Sequence, residues 1–195
     1  SRLSFYLLSF FSIPFLVETD YILSLWLGNV PEYTVDFVRW TFVYLQMDCL
    51  SRFMINSVLA YGKIRNYQIL VGCSKLLVLP IVWIVLLMGG SPVTGVIVNV
   101  AIEILCLAQR LYFNRHFFGL SVRKFLKEVV ARCWCVFIVI WGCASCFERL
   151  FFSLHIVVIL ISFILTVIGV WMFGLRRPER AMILSKSYGV IHKQL

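Results

Sequence analysis

The chain has 195 residues, of which 62% are hydrophobic and 14% are charged, and its mean hydropathy is +0.95. A soluble domain is nearer half apolar and a quarter charged. So large an apolar excess could not be hidden inside a globule of this size, which argues against a soluble enzyme or a nucleic-acid-binding domain. The many Phe, Leu, Ile and Val residues also exclude a disordered chain. We therefore expect an all-α, polytopic membrane protein.

The net charge of +9 has a simple explanation in such a protein. Lys and Arg accumulate on the cytoplasmic side of membrane proteins, so the expected partners are membrane lipids and no nucleic acid. The chain begins at Ser1 and shows no basic segment followed by a short apolar segment and a cleavage site. We expect it to be a fragment of a longer protein that lacks its front.

Six apolar segments approach the ~20 residues needed to cross ~30 Å of hydrocarbon. In chain order, spans A to F are 3–27, 36–60, 67–88, 93–113, 131–147 and 151–173. Glu18 and Asp20 interrupt span A, which is either one long tilted helix or a helix over 3–17 followed by a short interfacial piece. Pro14 and Pro80 predict kinks in spans A and C.

The distribution of Lys and Arg predicts the orientation. Of the 18 such residues, 14 lie at the two ends and in the connections on one side, whereas Arg149 alone lies on the other. Both termini are therefore expected in the cytoplasm.

One connection on the cytoplasmic side, 119–130, has an amphipathic pattern. Apolar residues recur at 122, 125, 126, 129 and 130, while Arg123, Lys124 and Lys127 fall on the other face. This predicts either a helix lying on anionic headgroups or a plain extension of span E.

The sequence offers no catalytic or metal-binding arrangement. Its seven Cys residues all fall in apolar stretches, and although 133/135 and 143/146 have the spacing of half-sites for zinc, the further ligands are missing. We interpret them as small apolar helix residues. We expect no cofactor, no metal and no enzyme activity.

Polar and ionisable residues inside the spans are the candidate site. Charges at such depth are costly and indicate function or pairing. Counting about 1.5 Å per residue from the cytoplasmic ends places the charged candidates in one layer roughly 12–18 Å deep. They form either a hydrophilic cavity for a polar or anionic group or a set of structural ion pairs. The candidates are Asp48, Arg52 and Asn56 on span B, Lys75 on span C, and Asn99 and Glu103 on span D. Arg110 lies on a similar face of span D but is counted here with the cations of the cytoplasmic side.

Three stretches resemble bacterial polysaccharide flippases of the Wzx type. They are ILSLWLGNVPEYT at 22–34, AYGKIRNYQ at 60–68 and GLSVRKFLKE at 119–128, and the likeness extends over about 20–190. Such proteins belong to the multidrug/oligosaccharidyl-lipid/polysaccharide exporter superfamily. The resemblance implies that residues 1–195 are the C-terminal transmembrane portion of an exporter with 12 to 14 helices around a central cavity.

The resemblance also implies the function. The cargo would be an undecaprenyl-diphosphate-linked oligosaccharide, such as an O-antigen unit, flipped across the bacterial inner membrane with a coupling cation. Two alternatives remain open at this stage. One is a polytopic enzyme of surface-polysaccharide assembly, and the other is a multidrug or small-molecule antiporter of the same superfamily.

Overall fold

The computed structural model describes residues 2–62, 64–150 and 154–174, and all of their regular secondary structure is helical. The predicted all-α class is therefore confirmed for this part of the chain. The helices are α1 (Arg2–Val17), α2 (Thr19–Leu27), α3 (Thr34–Tyr61), α4 (Arg65–Leu76), α5 (Val78–Leu87), α6 (Thr94–Phe118), α7 (Val122–Phe125), α8 (Arg132–Leu150) and α9 (His155–Gly169), with π-helical turns at Leu126–Ala131 and Val170–Gly174.

Four helical segments among the described residues are long and apolar enough to cross a membrane. The bent pair α1 and α2 makes a fifth if both helices belong to one span. By this criterion four or five of the six predicted spans qualify, and span B does not. The four segments are Arg65–Leu87, Thr94–Phe118, Val122–Arg149 and His155–Gly174.

Span B corresponds to α3, a single helix of 28 residues. It is long enough to cross a bilayer, but it carries Gln46, Asp48 and Arg52 in its interior, and these lower its hydropathy. Gln46 is fully buried, and its amide donates to the hydroxyls of Ser9 at 3.2 Å and Ser12 at 2.8 Å on α1. Polar groups of α3 thus find partners within the protein.

Span A is broken rather than straight. Helices α1 and α2 meet at Glu18 with a bend of 81°. The Thr19 hydroxyl donates to the Phe15 carbonyl at 2.6 Å, which satisfies an acceptor near the break. The break after Val17 matches the second of the two alternatives for span A, and the interfacial position of α2 stays a prediction. Helix α1 runs through Pro14 without interruption.

Span C is interrupted close to the position of the predicted kink. Helix α4 ends at Leu76 and α5 begins at Val78. Pro80 has no N–H to donate to the carbonyl four residues earlier, at Leu76, which explains a break at this point. The two pieces still form one candidate span.

The amphipathic segment 119–130 continues into α8. Helix α7, the π-helical turn and α8 make one helical segment over Val122–Arg149. Val122 and Phe125 pack against a cluster between α3 and α6, and Val129 and Val130 pack against the main core. These contacts match the second alternative for this segment, an extension of span E, because most of its apolar residues pack against the protein. Whether the segment touches the membrane surface stays a prediction.

Buried apolar side chains form two clusters in the described part of the chain. The larger core joins α1, α3, α8 and α9 through residues such as Phe5, Phe137 and Val158. The smaller one joins α3 and α6 through Met54, Leu107 and Leu111. Helices α4 and α5 pack chiefly on α6, and α5 has no buried residue. Helix α3 therefore stands between the main core and the α4–α6 layer.

Candidate functional site

A buried cluster of charges joins α3, α4 and α6. The carboxylate of Glu103 on α6 is 1% exposed and binds two cations. Lys75 of α4 places its Nζ atom 3.2 Å from Oε2 of Glu103. Arg110, two helical turns along α6, donates directly to Oε1 of the same carboxylate. We call Ser51, Lys75, Glu103 and Arg110 the charge cluster.

Ser51 of α3 completes this cluster. Its hydroxyl is fully buried, lies 3.2 Å from Oε1 of Glu103 and accepts a hydrogen bond from Arg110. It can also donate to the backbone carbonyl of Asp48, at 2.9 Å. A single hydroxyl on α3 therefore contacts both charges of the buried pair on α6.

Neutral side chains support the cluster on either side. The Gln109 amide donates to the Ser74 hydroxyl at 2.7 Å, which ties α6 to α4 beside Lys75. The Asn114 amide donates to the Met54 carbonyl at 3.3 Å, which ties α6 to α3 one turn beyond Arg110. These bonds hold the three helices in register around the charges.

The cluster lies near the middle of the helices that carry it. Lys75 is ten residues from the start and twelve from the end of Arg65–Leu87, or about 15 and 18 Å at 1.5 Å per residue. Glu103 is about 14 Å from the start of α6 on the same measure. The predicted depth layer thus contains Lys75 and Glu103, now in direct contact.

The other four predicted site residues lie apart from this contact. Asp48 and Arg52 form an ion pair along α3, with 2.7 Å between Oδ2 and a guanidinium nitrogen, and Arg52 is 71% exposed. Asn56 is exposed on α3. Asn99 is exposed on α6 and donates to the carbonyl of Gly95, one turn earlier, at 3.4 Å.

Two members of the charge cluster were missed by the sequence analysis. Arg110 lies inside predicted span D, on a similar face to Glu103, but it was counted with the cations of the cytoplasmic side and left out of the candidates, whereas it is only 3% exposed and contacts Glu103. Its spacing of seven from Glu103 puts both on one helix face and was a usable signal. Ser51 carries no charge, and serine is common in membrane helices, so no sequence signal distinguished it.

A second polar contact fixes the bend between α1 and α2. Glu18 is 5% exposed, and its Oε2 lies 2.9 Å from Nδ1 of His155 at the start of α9. Tyr21 stacks on the His155 ring with centroids 4.5 Å apart. Three helices therefore meet at this point.

The cysteines do not converge on a site. All seven are free, and no group of three or more His, Cys, Asp or Glu residues within 2–62, 64–150 and 154–174 could hold a metal ion. Cys133 is buried whereas Cys135 is exposed, which fits two positions on different faces of α8.

The charge cluster can attract an anion or hold helices together. Two cations face one carboxylate, so its net charge is +1. The Glu103–Arg110 pair is enclosed, whereas Lys75 is 44% exposed and extends from the buried pair to the surface of the described helices. Lys75 is thus the member that a ligand could reach.

No known protein family, characterised protein or solved structure matches the chain. The fold and the charge cluster are therefore the basis for any functional conclusion.

Proposed function

We propose that the chain is part of a transporter that flips lipid-linked oligosaccharides across the bacterial inner membrane. The observation that carries the proposal is the charge cluster, with Lys75 reaching out from a buried pair near the middle of an apolar helix. The resemblance to Wzx-type flippases supplies the cargo class, an undecaprenyl-diphosphate-linked sugar unit.

The net positive charge favours an anionic cargo group. A diphosphate carries several acceptor oxygens, and Lys binds phosphate as a compact point charge with three donors. Glu103 and Arg110 would keep Lys75 in place, because Glu103 is buried and tied to α3 through Ser51. A fixed cation at this depth is worth more than one in water, since the surroundings screen it less.

The two alternatives from the sequence make different demands. A polytopic enzyme needs a nucleophile that its substrate can reach, and the one hydroxyl of the cluster, on Ser51, is fully buried and held by Arg110 and Glu103. A multidrug antiporter would take cationic or neutral drugs, which a net charge of +1 does not favour. The flippase is therefore the function that we adopt.

The test compares variants of Lys75 in cells that depend on this gene for surface polysaccharide. Lys75→Gln should leave the amount of membrane protein near normal and lower export about tenfold or more. Lys75→Arg should keep part of the activity because the charge remains. Surface polysaccharide and undecaprenyl-linked intermediates would be measured together with protein level.

The matched control is Lys124→Gln, which removes an exposed cation outside the cluster. It should export normally. Full export by Lys75→Gln at normal protein level would contradict the proposal. A loss of protein in Lys75→Gln that is restored in the triple variant with Glu103→Gln and Arg110→Met, together with export, would assign the cluster a structural role only.

A further inference from the structure

A cleft lined by tryptophans lies between α1, α3 and α8, outside the charge cluster. Its volume is about 580 Å³, within the ~300–1,000 Å³ range of small-molecule sites. Trp40 on α3 and Trp134 and Trp141 on α8 line it, so it holds three of the six tryptophans of the chain. We call it the tryptophan cleft.

Charged residues share this cleft with the tryptophans. Asp36 and Arg39 come from α3, and Glu148 and Arg149 come from α8. Two acidic and two basic residues give a net charge of zero. Arg39 is held at 3.0 Å from Asp20 of α2, which ties the cleft to the helix beyond the 81° bend.

Membrane anchoring does not explain the position of Trp141. Tryptophans of aromatic belts lie at the membrane–water interfaces. Trp141 lies inside the predicted span E, six residues or about 9 Å from its nearer end at 147. A neighbouring groove of about 550 Å³, lined by residues such as Phe15, Ile22 and Leu45, is almost wholly apolar, as expected of a surface that packs against lipid chains. The tryptophan cleft differs from it in its charged residues.

We infer that the tryptophan cleft binds the neutral sugar units of the cargo. Faces of aromatic rings carry partial negative charge and attract the C–H groups on the face of a pyranose ring. Carboxylates accept hydrogen bonds from sugar hydroxyls, and guanidinium groups donate to them. A cleft with ring faces, both kinds of polar group and no net charge suits a neutral saccharide better than an anion.

This inference rests on the proposed function for its oligosaccharide cargo, and it divides the recognition between two sites. The charge cluster, at +1, would take the anionic diphosphate, whereas the neutral cleft would take the sugars. The two sites share no residue and can be tested separately.

The test uses ¹⁹F NMR of the whole gene product, labelled with 5-fluorotryptophan and placed in lipid nanodiscs. Signals are assigned by their loss in Trp40→Phe, Trp141→Phe and Trp83→Phe. Chitotriose and maltotriose are the neutral probes, and inorganic diphosphate is the anionic probe. At least one trisaccharide should shift the Trp40 and Trp141 signals, and diphosphate should shift neither. Trp83, which is 67% exposed on α5, is the control and should not move.

Two further measurements test whether lipid occupies the tryptophan cleft and whether Glu148 contributes to sugar binding. A lipid with a nitroxide on its acyl chain should broaden the Trp83 signal more than that of Trp141. Glu148→Gln should weaken the trisaccharide effect on Trp40 about tenfold, whereas Lys124→Gln should leave it unchanged. Equal broadening of Trp83 and Trp141 would show that lipid fills the cleft and would overturn the inference.

Absence of any shift with both trisaccharides, up to their solubility limits, would also overturn it. Binding is measured without transport, so these outcomes leave the flippase proposal standing. Conversely, a protein that binds trisaccharide but supports no polysaccharide export in cells would contradict the proposed function and not the cleft.

Discussion

Replacing Glu103 with glutamine should destabilise the protein more than removing either of its cationic partners. Glu103 and Arg110 are both almost fully buried, and Glu103 is the carboxylate that Arg110 contacts in the part of the chain that the structure describes. In Glu103→Gln the guanidinium stays buried without an opposing charge. Removing one partner of a buried ion pair costs about 3–5 kcal/mol.

Removing the arginine instead of the carboxylate should destabilise the protein less, because the buried Glu103 charge keeps other partners. In Arg110→Met, Glu103 keeps Lys75 at 3.2 Å and the Ser51 hydroxyl at 3.2 Å. The expected cost is therefore nearer the ~1–3 kcal/mol of a lost hydrogen bond to a charged group. Lys75→Gln should cost less again, because Lys75 is 44% exposed and the buried pair stays intact. The double variant Glu103→Gln with Arg110→Met should recover most of the loss, since it leaves no uncompensated buried charge.

Thermal unfolding of the purified protein in nanodiscs, followed by far-ultraviolet circular dichroism, measures these differences. For a chain of this size 1 kcal/mol corresponds to roughly 2–4 °C in Tm, so Glu103→Gln should lower Tm by about 6–20 °C. The control is Asp20→Asn, which breaks an exposed ion pair with Arg39 worth at most about 1 kcal/mol. A Tm for Glu103→Gln equal to that of the control, or a double variant less stable than Glu103→Gln, would refute the reasoning.

Three more predictions concern packing, topology and the pair on α3. Gly169→Ala should lower Tm, because an added Cβ would lie 2.7 Å from the buried Ile140 side chain. Gly142→Ala, where the added Cβ meets open space, should leave Tm unchanged. A larger fall in Tm for Gly142→Ala than for Gly169→Ala would contradict this. Ser91→Cys, in a background without other cysteines, should react with a membrane-impermeant maleimide from outside the cell, and labelling from the cytoplasm alone would reverse the orientation. Arg52→Leu should lower export more than protein level if Arg52 handles cargo; normal export would make its pair with Asp48 purely structural.

The helical class could be predicted because its signal is local. A run of apolar residues long enough to cross the bilayer can be recognised in a short stretch of sequence. Pro80 likewise predicts an interruption of its helix without reference to distant residues. Span B was harder to judge because α3 is polar, and the partners to which the Gln46 amide donates, Ser9 and Ser12, lie more than 30 residues earlier. Nothing in the local sequence records such partners.

The candidate site shows the same division. Depth along a helix can be counted, so Lys75 and Glu103 were placed in one layer from the sequence. Which neighbouring helix a side chain meets depends on how the helices pack, and this cannot be counted from the sequence. Arg52, for example, pairs with Asp48 within α3. Arg110 was left out because it lies near the predicted cytoplasmic end of span D and was counted with the cytoplasmic cations, whereas α6 continues to Phe118, before Gly119 with φ +64°.

The polarity of α3 has a consequence for how the protein enters the membrane. Asp48 and Arg52 each cost about 2.5–3.5 kcal/mol when a helix centre moves from the translocon into lipid. Helix α1 is synthesised first and can already offer Ser9 and Ser12 to Gln46. The groups that Ser51 contacts on α6 emerge from the ribosome only about 50 residues later. Because Asp48 and Arg52 already pair within α3 and Ser51 is in place when Glu103 and Arg110 emerge, α6 should leave the translocon in contact with α3.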